Sequence, residues 1–210
     1  MYSDRIKEIV DLSYHLLTRK IVNKSIHIDN EATFQLELAY ILKSVGQLYQ
    51  FGLDEKFSLQ LETYLPLSSI SKKSNSNRAR IDILLKFGDS TTSTTCAIEL
   101  KFFKKANHRE PNNRYDVFKD LSNLEMYRDV GIDLCYFMIG TDHSHYVNQP
   151  QFSLDTAAFD FRDGSSYHAD TELVYDTAIP YGLPISLKNS YLFKWDIFEE
   201  EQQFFLKIPV

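Results

Sequence analysis

A chain of 210 residues with 43% hydrophobic and 14% aromatic side chains can bury a core without staples, and its 13 Tyr and 15 Phe exclude wholesale disorder. No apolar run approaches the roughly 20 residues that a membrane-spanning helix needs. The acid-containing start MYSDRIKEIVDLSYHLL lacks a secretion signal's basic-then-apolar order, so a cytoplasmic protein with no membrane attachment is expected. The net charge of −6 argues against a generally basic nucleic-acid binder, yet 11 Lys/Arg stand against 5 acids between Lys72 and Lys119.

Ile6, Ile9, Val10, Tyr14, Leu17 and Ile21 recur at helical spacing, which predicts a first helix over 4–22. Asp29 or Asn30 is placed to cap a second, whose apolar stripe is Phe34, Leu38, Ile41, Leu42, Val45 and Leu48, with Gly52 as its stop. Residues 57–65 alternate as a half-buried strand that Pro66 ends, and the polar stretch 68–77 reads as a loop. ARIDILLKF (79–87) and TCAIELKFF (95–103) then form a hairpin across GDSTTST. After the basic, Pro-containing connection KKANHREPNN, a helix is expected from about Arg114 to Asp129, closed by Gly131. IDLCYFMIG (132–140) is apolar almost throughout and fits a central strand covered on both faces. Residues 141–190 are irregular apart from a candidate strand at Ser153–Phe161. YLFKWDIF (191–198) and QQFFLKIPV (202–210) read as two closing strands. This order predicts an α/β layered fold in one domain over 1–210, with a core at about 30–140 and a C-terminal elaboration at 141–210.

The chemistry lies in the hairpin. Asp82 stands inside one apolar strand, Glu99 and Lys101 inside the next, where charge is costly unless paired or coordinated. Glu99 and Lys101 are two apart, so both project from one face of their strand, and strand pairing can bring Asp82 to the same spot. Two carboxylates beside an amine suit metal-assisted hydrolysis. Asp82 and Glu99 are hard oxygen ligands for Mg²⁺ or Mn²⁺, while Lys101 orients or helps deprotonate the water and stabilises the pentacovalent transition state.

These residues, within the run from Asn30 to Asp129, resemble the PD-(D/E)XK nuclease superfamily, with Asp82 as its first acid and Glu99-Leu100-Lys101 as its (D/E)XK element. Ile81 stands where that pattern has Pro. The resemblance implies a restriction-endonuclease-like core: a helix, a three-stranded meander, a second helix and a further strand, forming a central mixed sheet flanked by helices. It also implies a Mg²⁺-dependent endonuclease acting on nucleic acid, DNA foremost, in restriction, repair or phage defence. Glu31, opening the second helix, matches the acid that family members often add there; Glu37 is its competitor, and Glu62 is a further candidate from the first strand. Arg114 and Lys119 correspond to basic residues that the family turns toward phosphate, and Lys104 and Lys105 lie in the same basic stretch.

Other signals are weaker. Cys96 and Cys135 sit in apolar strands and read as packing residues. His143 and His145 lack a partner at ligand spacing, and neither a phosphate-binding Gly-rich loop nor a Gly-x-Ser-x-Gly elbow occurs. A homodimer or partner subunit would suit double-strand cutting by symmetry. The competing class is a catalytically silent nuclease-fold module that binds nucleic acid or a protein partner. Retention of two inward carboxylates, which repel phosphate unless metal is present, argues for the enzyme.

Overall fold

The expected apolar stripe of the first helix is the buried face of α1 (Tyr2–Val22). Asn30 is the N-cap of α2 (Glu31–Leu48), its side chain accepting from the Thr33 amide. That helix ends before the expected Gly52. The Tyr49 amide turns back to the Gly46 carbonyl, and the Glu55 carboxylate collects the Phe51 and Gly52 amides, closing the turn early. Gly46 is required on α2, because a Cβ there would stand 2.3 Å from the Phe57 ring.

The computed structural model describes residues 2–67, 78–150 and 153–210. Strands β1 (Lys56–Pro66), β2 (Arg78–Gly88) and β3 (Ser93–Phe103) form an antiparallel meander; the polar loop expected at 68–77 lies outside the described residues. Helix α3 (Glu110–Asp129) carries the chain back, so β4 (Leu134–Thr141) lies parallel to β3. Between β3 and β8, β4 is buried almost end to end, as its unbroken apolar run required. Beyond a two-stranded patch, β5 (Ser166–Tyr167) with β6 (Tyr191–Leu192), the chain returns to the main sheet through β7 (Trp195–Phe198) and β8 (Gln203–Pro209). The result is an α/β architecture with a mixed six-stranded sheet, order β1-β2-β3-β4-β8-β7, flanked by three helices. No described helix is long and apolar enough to cross a membrane.

Three further sequence expectations need correction. Helix α3 begins at Glu110 rather than Arg114, because Pro111 falls in its first turn, where a missing N–H costs nothing. The strand expected at Ser153–Phe161 is a 3₁₀ turn, Leu154–Thr156, followed by irregular chain; Phe159 and Phe161 alternate with Asp160 because both rings fill the core. The single strand expected over 191–198 is two. Phe193 bonds through its amide to Ser165 and through its carbonyl to Gly164, which ties the first half to the small sheet.

Each face of the sheet has its own core. Leu38 and Leu42 of α2, with Ile6 and Leu17 of α1, cover Ile83, Leu85, Ile98, Leu100 and Met138. Leu121 and Leu124 of α3, joined by Phe159, Phe161 and Trp195, cover Ile81, Ala97, Phe137 and Ile139.

Candidate functional site

Alternation along β3 sends Ile98, Leu100 and Phe102 into the α1–α2 core and leaves Ala97, Glu99 and Lys101 on the α3 side. Glu99 is wholly buried, and its Oε1 accepts a 2.9 Å hydrogen bond from the Tyr127 hydroxyl of α3. Two residues on, the Lys101 ammonium lies 3.0 Å from Asp120 Oδ2 and 3.5 Å from Glu31 Oε2, and donates to the Leu100 carbonyl. The side chains of Glu99 and Lys101 are therefore held by two turns of one helix, since Asp120 and Tyr127 are seven residues apart on α3.

Asp82 reaches the same place from β2. Pairing between β2 and β3 runs from Gly88↔Ser93 to Ile83↔Ile98 and stops there. One residue further, the Asp82 carboxylate accepts the Leu100 amide at 2.8 Å. A side chain thus bonds the middle residue of the Glu-x-Lys element where the ladder ends. Asp82, Glu31, Glu62, Gln35, Ala32 and Leu100 line a cleft of about 260 Å³. Gln35 joins two of its walls, its amide donating to Glu62 Oε1 at 2.8 Å and to the Asp82 carbonyl at 2.7 Å.

The electrostatics converge on Lys101. Burial favours its neutral form, but Asp120, Glu31, Asp82 and Glu99 outweigh that and push its pKa above the ordinary lysine value. The Tyr127 phenol is pushed up by burial first and by Glu99 second, so it stays a hydrogen-bond donor to that carboxylate.

Of the acids proposed from sequence, Asp82, Glu99 and Glu31 meet around Lys101, and Glu62 lines the cleft. Glu37, six positions beyond Glu31 on α2, does not line it. The basic residues proposed for phosphate fare differently. Lys104 lies 3.7 Å from Asp29, and Lys105 is exposed, with its amide bonded to Asp142. Arg114 is buried instead of facing a substrate: it packs against the Tyr146 and Phe161 rings and donates to the His145 carbonyl, because the early start of α3 places it inside the C-terminal core. Lys119 pairs with Asp116 and lies over Tyr115 and Tyr181. Neither is brought to Lys101. Three contributors went unread in sequence: Asp120, Tyr127 as a donor, and Gln35. Their signal was spacing, because Asp120, Leu124 and Tyr127 follow i, i+4, i+7, and Gln35 is i+4 from Glu31.

The donor set suits a hard divalent ion. Mg²⁺ is commonly held by one or two carboxylates and completes its shell with water and phosphate oxygens. Of the two ligands expected from sequence, Asp82 lines the cleft, whereas Glu99 is wholly buried behind it and does not line it. Among the described residues, no three His, Cys, Asp or Glu side chains gather as a fuller cage. No family model, curated protein or solved structure matches the chain.

Proposed function

We propose that the chain is a metal-dependent nuclease with a restriction-endonuclease-like core of the PD-(D/E)XK type, hydrolysing phosphodiester bonds, DNA foremost. The observation that carries this reading is the Asp82 carboxylate bonded to the amide between Glu99 and Lys101. Surface ion pairs on a hairpin do not need a fully buried glutamate, a terminated ladder and a mostly buried lysine paired with two carboxylates. The order helix, meander, helix, parallel strand supports the same reading.

Asp82 and Glu99 would hold Mg²⁺ or Mn²⁺, which supplies a water of lowered pKa and offsets charge on the phosphate. Tyr127 fixes the Glu99 carboxylate by donating to Oε1. Asp120 and Glu31 keep Lys101 an ammonium, so its part is to stabilise negative charge developing on phosphate oxygens rather than to take a proton.

A second reading, a nuclease-fold module that binds without cutting, is favoured by the complete burial of Glu99 and by the lack of a three-donor group among the described residues. Calorimetric titration with Mn²⁺, paired with a cleavage assay on DNA in Mg²⁺, separates the two. The enzyme reading expects binding that Asp82→Asn/Glu99→Gln abolishes. It also expects cleavage that falls on the order of 10²-fold or more in Lys101→Met while metal binding persists. A wild type that binds no metal, even beside a DNA duplex, supports the silent module.

A further inference from the structure

Asp82 stands at a discontinuity that two strands share. Every residue of β1 from Lys56 to Pro66 pairs with its counterpart in β2 except Glu62, which stands opposite Asp82. Glu62 has φ +54°, a left-handed conformation that a non-glycine side chain rarely adopts and that is costly inside a strand. The facing of both strands changes there. In β2, Ile83, Leu85 and Phe87 enter the α1–α2 core, whereas Ala79 and Ile81, which plain alternation would put beside them, enter the α3 core. In β1, Phe57 and Leu59 pack on the first core and Leu65 on the second. A one-residue change of phase sends every later side chain to the opposite face.

Gln35 occupies the break. Its amide donates to the Asp82 carbonyl, where the β1–β2 register skips a pair, and to the Glu62 carboxylate across from it. We propose that Gln35 and the left-handed turn at Glu62 are positioning residues that crank β1 and β2 together and hold the Asp82 carboxylate on the Leu100 amide at the cleft. Asp82 is then aimed by backbone geometry set one strand and one helix away. Strain at Glu62 persists because Gln35 and the flanking ladder fix it, in keeping with the clustering of strained residues at working sites. The positioning of Asp82 for metal rests on the nuclease reading above; the crank itself does not.

The test uses substitutions that remove the same carboxylate but make opposite backbone demands. Glycine adopts left-handed φ freely, alanine at a modest penalty, and valine poorly. Two readouts are taken on the full chain: amide hydrogen exchange at Leu100 against Ile98, and Mn²⁺ affinity by calorimetry. Glu62→Gly should keep Leu100 exchange within about twofold of wild type, because the conformation survives. Glu62→Val and Gln35→Leu should speed exchange at Leu100 about tenfold, with Ile98 unchanged, as expected for a local opening. Both should weaken Mn²⁺ binding about tenfold, the usual cost of losing an outer-shell support. Glu62→Ala should fall between Gly and Val, and it carries the comparison if the valine variant does not fold. Equal losses in Glu62→Gly and Glu62→Ala would assign the effect to the carboxylate and overturn the crank. Unchanged Leu100 exchange in Gln35→Leu would overturn the role of Gln35. A wild type that binds no Mn²⁺ would count against the nuclease reading alone, since the exchange readout still decides the crank.

Discussion

The two faces of the sheet are closed by different chemistry. Under α1 and α2, the described buried side chains are apolar apart from Ser13 and Thr18. Under α3, the same depth of burial takes in Glu99, Asp120, Asn123, Glu125 and Arg114. A buried charge is several kcal/mol too costly to be incidental unless it is paired or bonded, so the α3 face must give each one a partner. It does so in two ways. Glu99 and Asp120 face the candidate site through Tyr127 and Lys101. Glu125 anchors the C-terminal segment, accepting from the Lys188 and Asn189 amides and from the Tyr191 hydroxyl. One face is built for stability alone, the other for stability and placement.

Truncation on the apolar face should give the largest purely structural effect. Leu17 on α1 is fully buried, and Leu17→Ala should cost about 3–4 kcal/mol through lost transfer energy and the cavity left behind. Chemical denaturation measures it, and Mn²⁺ affinity should not change. On the opposite face, Asp120→Ala should cost about 3 kcal/mol by leaving the Lys101 ammonium short of its nearest carboxylate, and on the proposed nuclease reading cleavage should fall too. The sharper variant is Lys101→Met/Asp120→Leu. An apolar pair in place of the buried ion pair should return stability to within about 1 kcal/mol of wild type while cleavage stays lost. A double variant as unstable as Asp120→Ala would mean that the pair is structural, and the contrast between the faces would collapse.

The apolar face was also the legible one. Helical spacing marked α1 residue by residue and α2 as far as Val45, Leu48 being exposed at the helix end, and the unbroken run of β4 announced a strand covered on both sides, because those patterns report burial of one stripe or of everything. Helix α3 hid more. Of its 20 residues, 12 are buried, so no single stripe separates core from solvent, and Asp120 reads as a surface acid until β3 lies beneath it. The Glu-x-Lys spacing put Glu99 and Lys101 on one face. That Asp82 would join them was harder to read, since it depends on a change of phase that plain alternation does not contain. The C-terminal third was least legible, because Phe159, Phe161 and Phe193 are fixed by packing and loop hydrogen bonds without a regular period.

Glu125 gives a smaller and more local break. Glu125→Gln turns an acceptor-only group into one that also presents N–H to the amides of the 188–189 segment. The expected loss is about 2 kcal/mol, in the range for hydrogen bonds to a charged group. Hydrogen exchange should accelerate at Lys188 and Asn189 before any change at Leu100. Acceleration at both together would join the anchoring half of the α3 face and the half that carries the candidate site into one unit.

The smallest effect sharpens the comparison at the rim of the apolar face, where α1 is tied to the β2–β3 turn by a polar contact. Asp89 accepts from the Thr91 and Thr92 amides, from the Thr91 hydroxyl, and at 2.7 Å from the Tyr2 hydroxyl. Those donors, the Thr91 hydroxyl foremost, hold its carboxyl well below the ordinary 3.8. The same bond to Asp89, aided by burial, pushes the Tyr2 phenol from 10.0 up to about 12. A depressed carboxyl stabilises the fold above its ordinary pKa and loses that contribution as pH falls through the folded value. A raised phenol stabilises it below its ordinary pKa and loses that contribution as pH rises through the folded one. Wild type should therefore exceed Asp89→Asn by a constant margin between about pH 4 and pH 10, and the margin should shrink on both sides. Denaturation at pH 3, 7 and 11 measures it. A margin that stays flat into acid would mean that Asp89 serves the turn without its charge, leaving the rim of this face as indifferent to ionisation as its core.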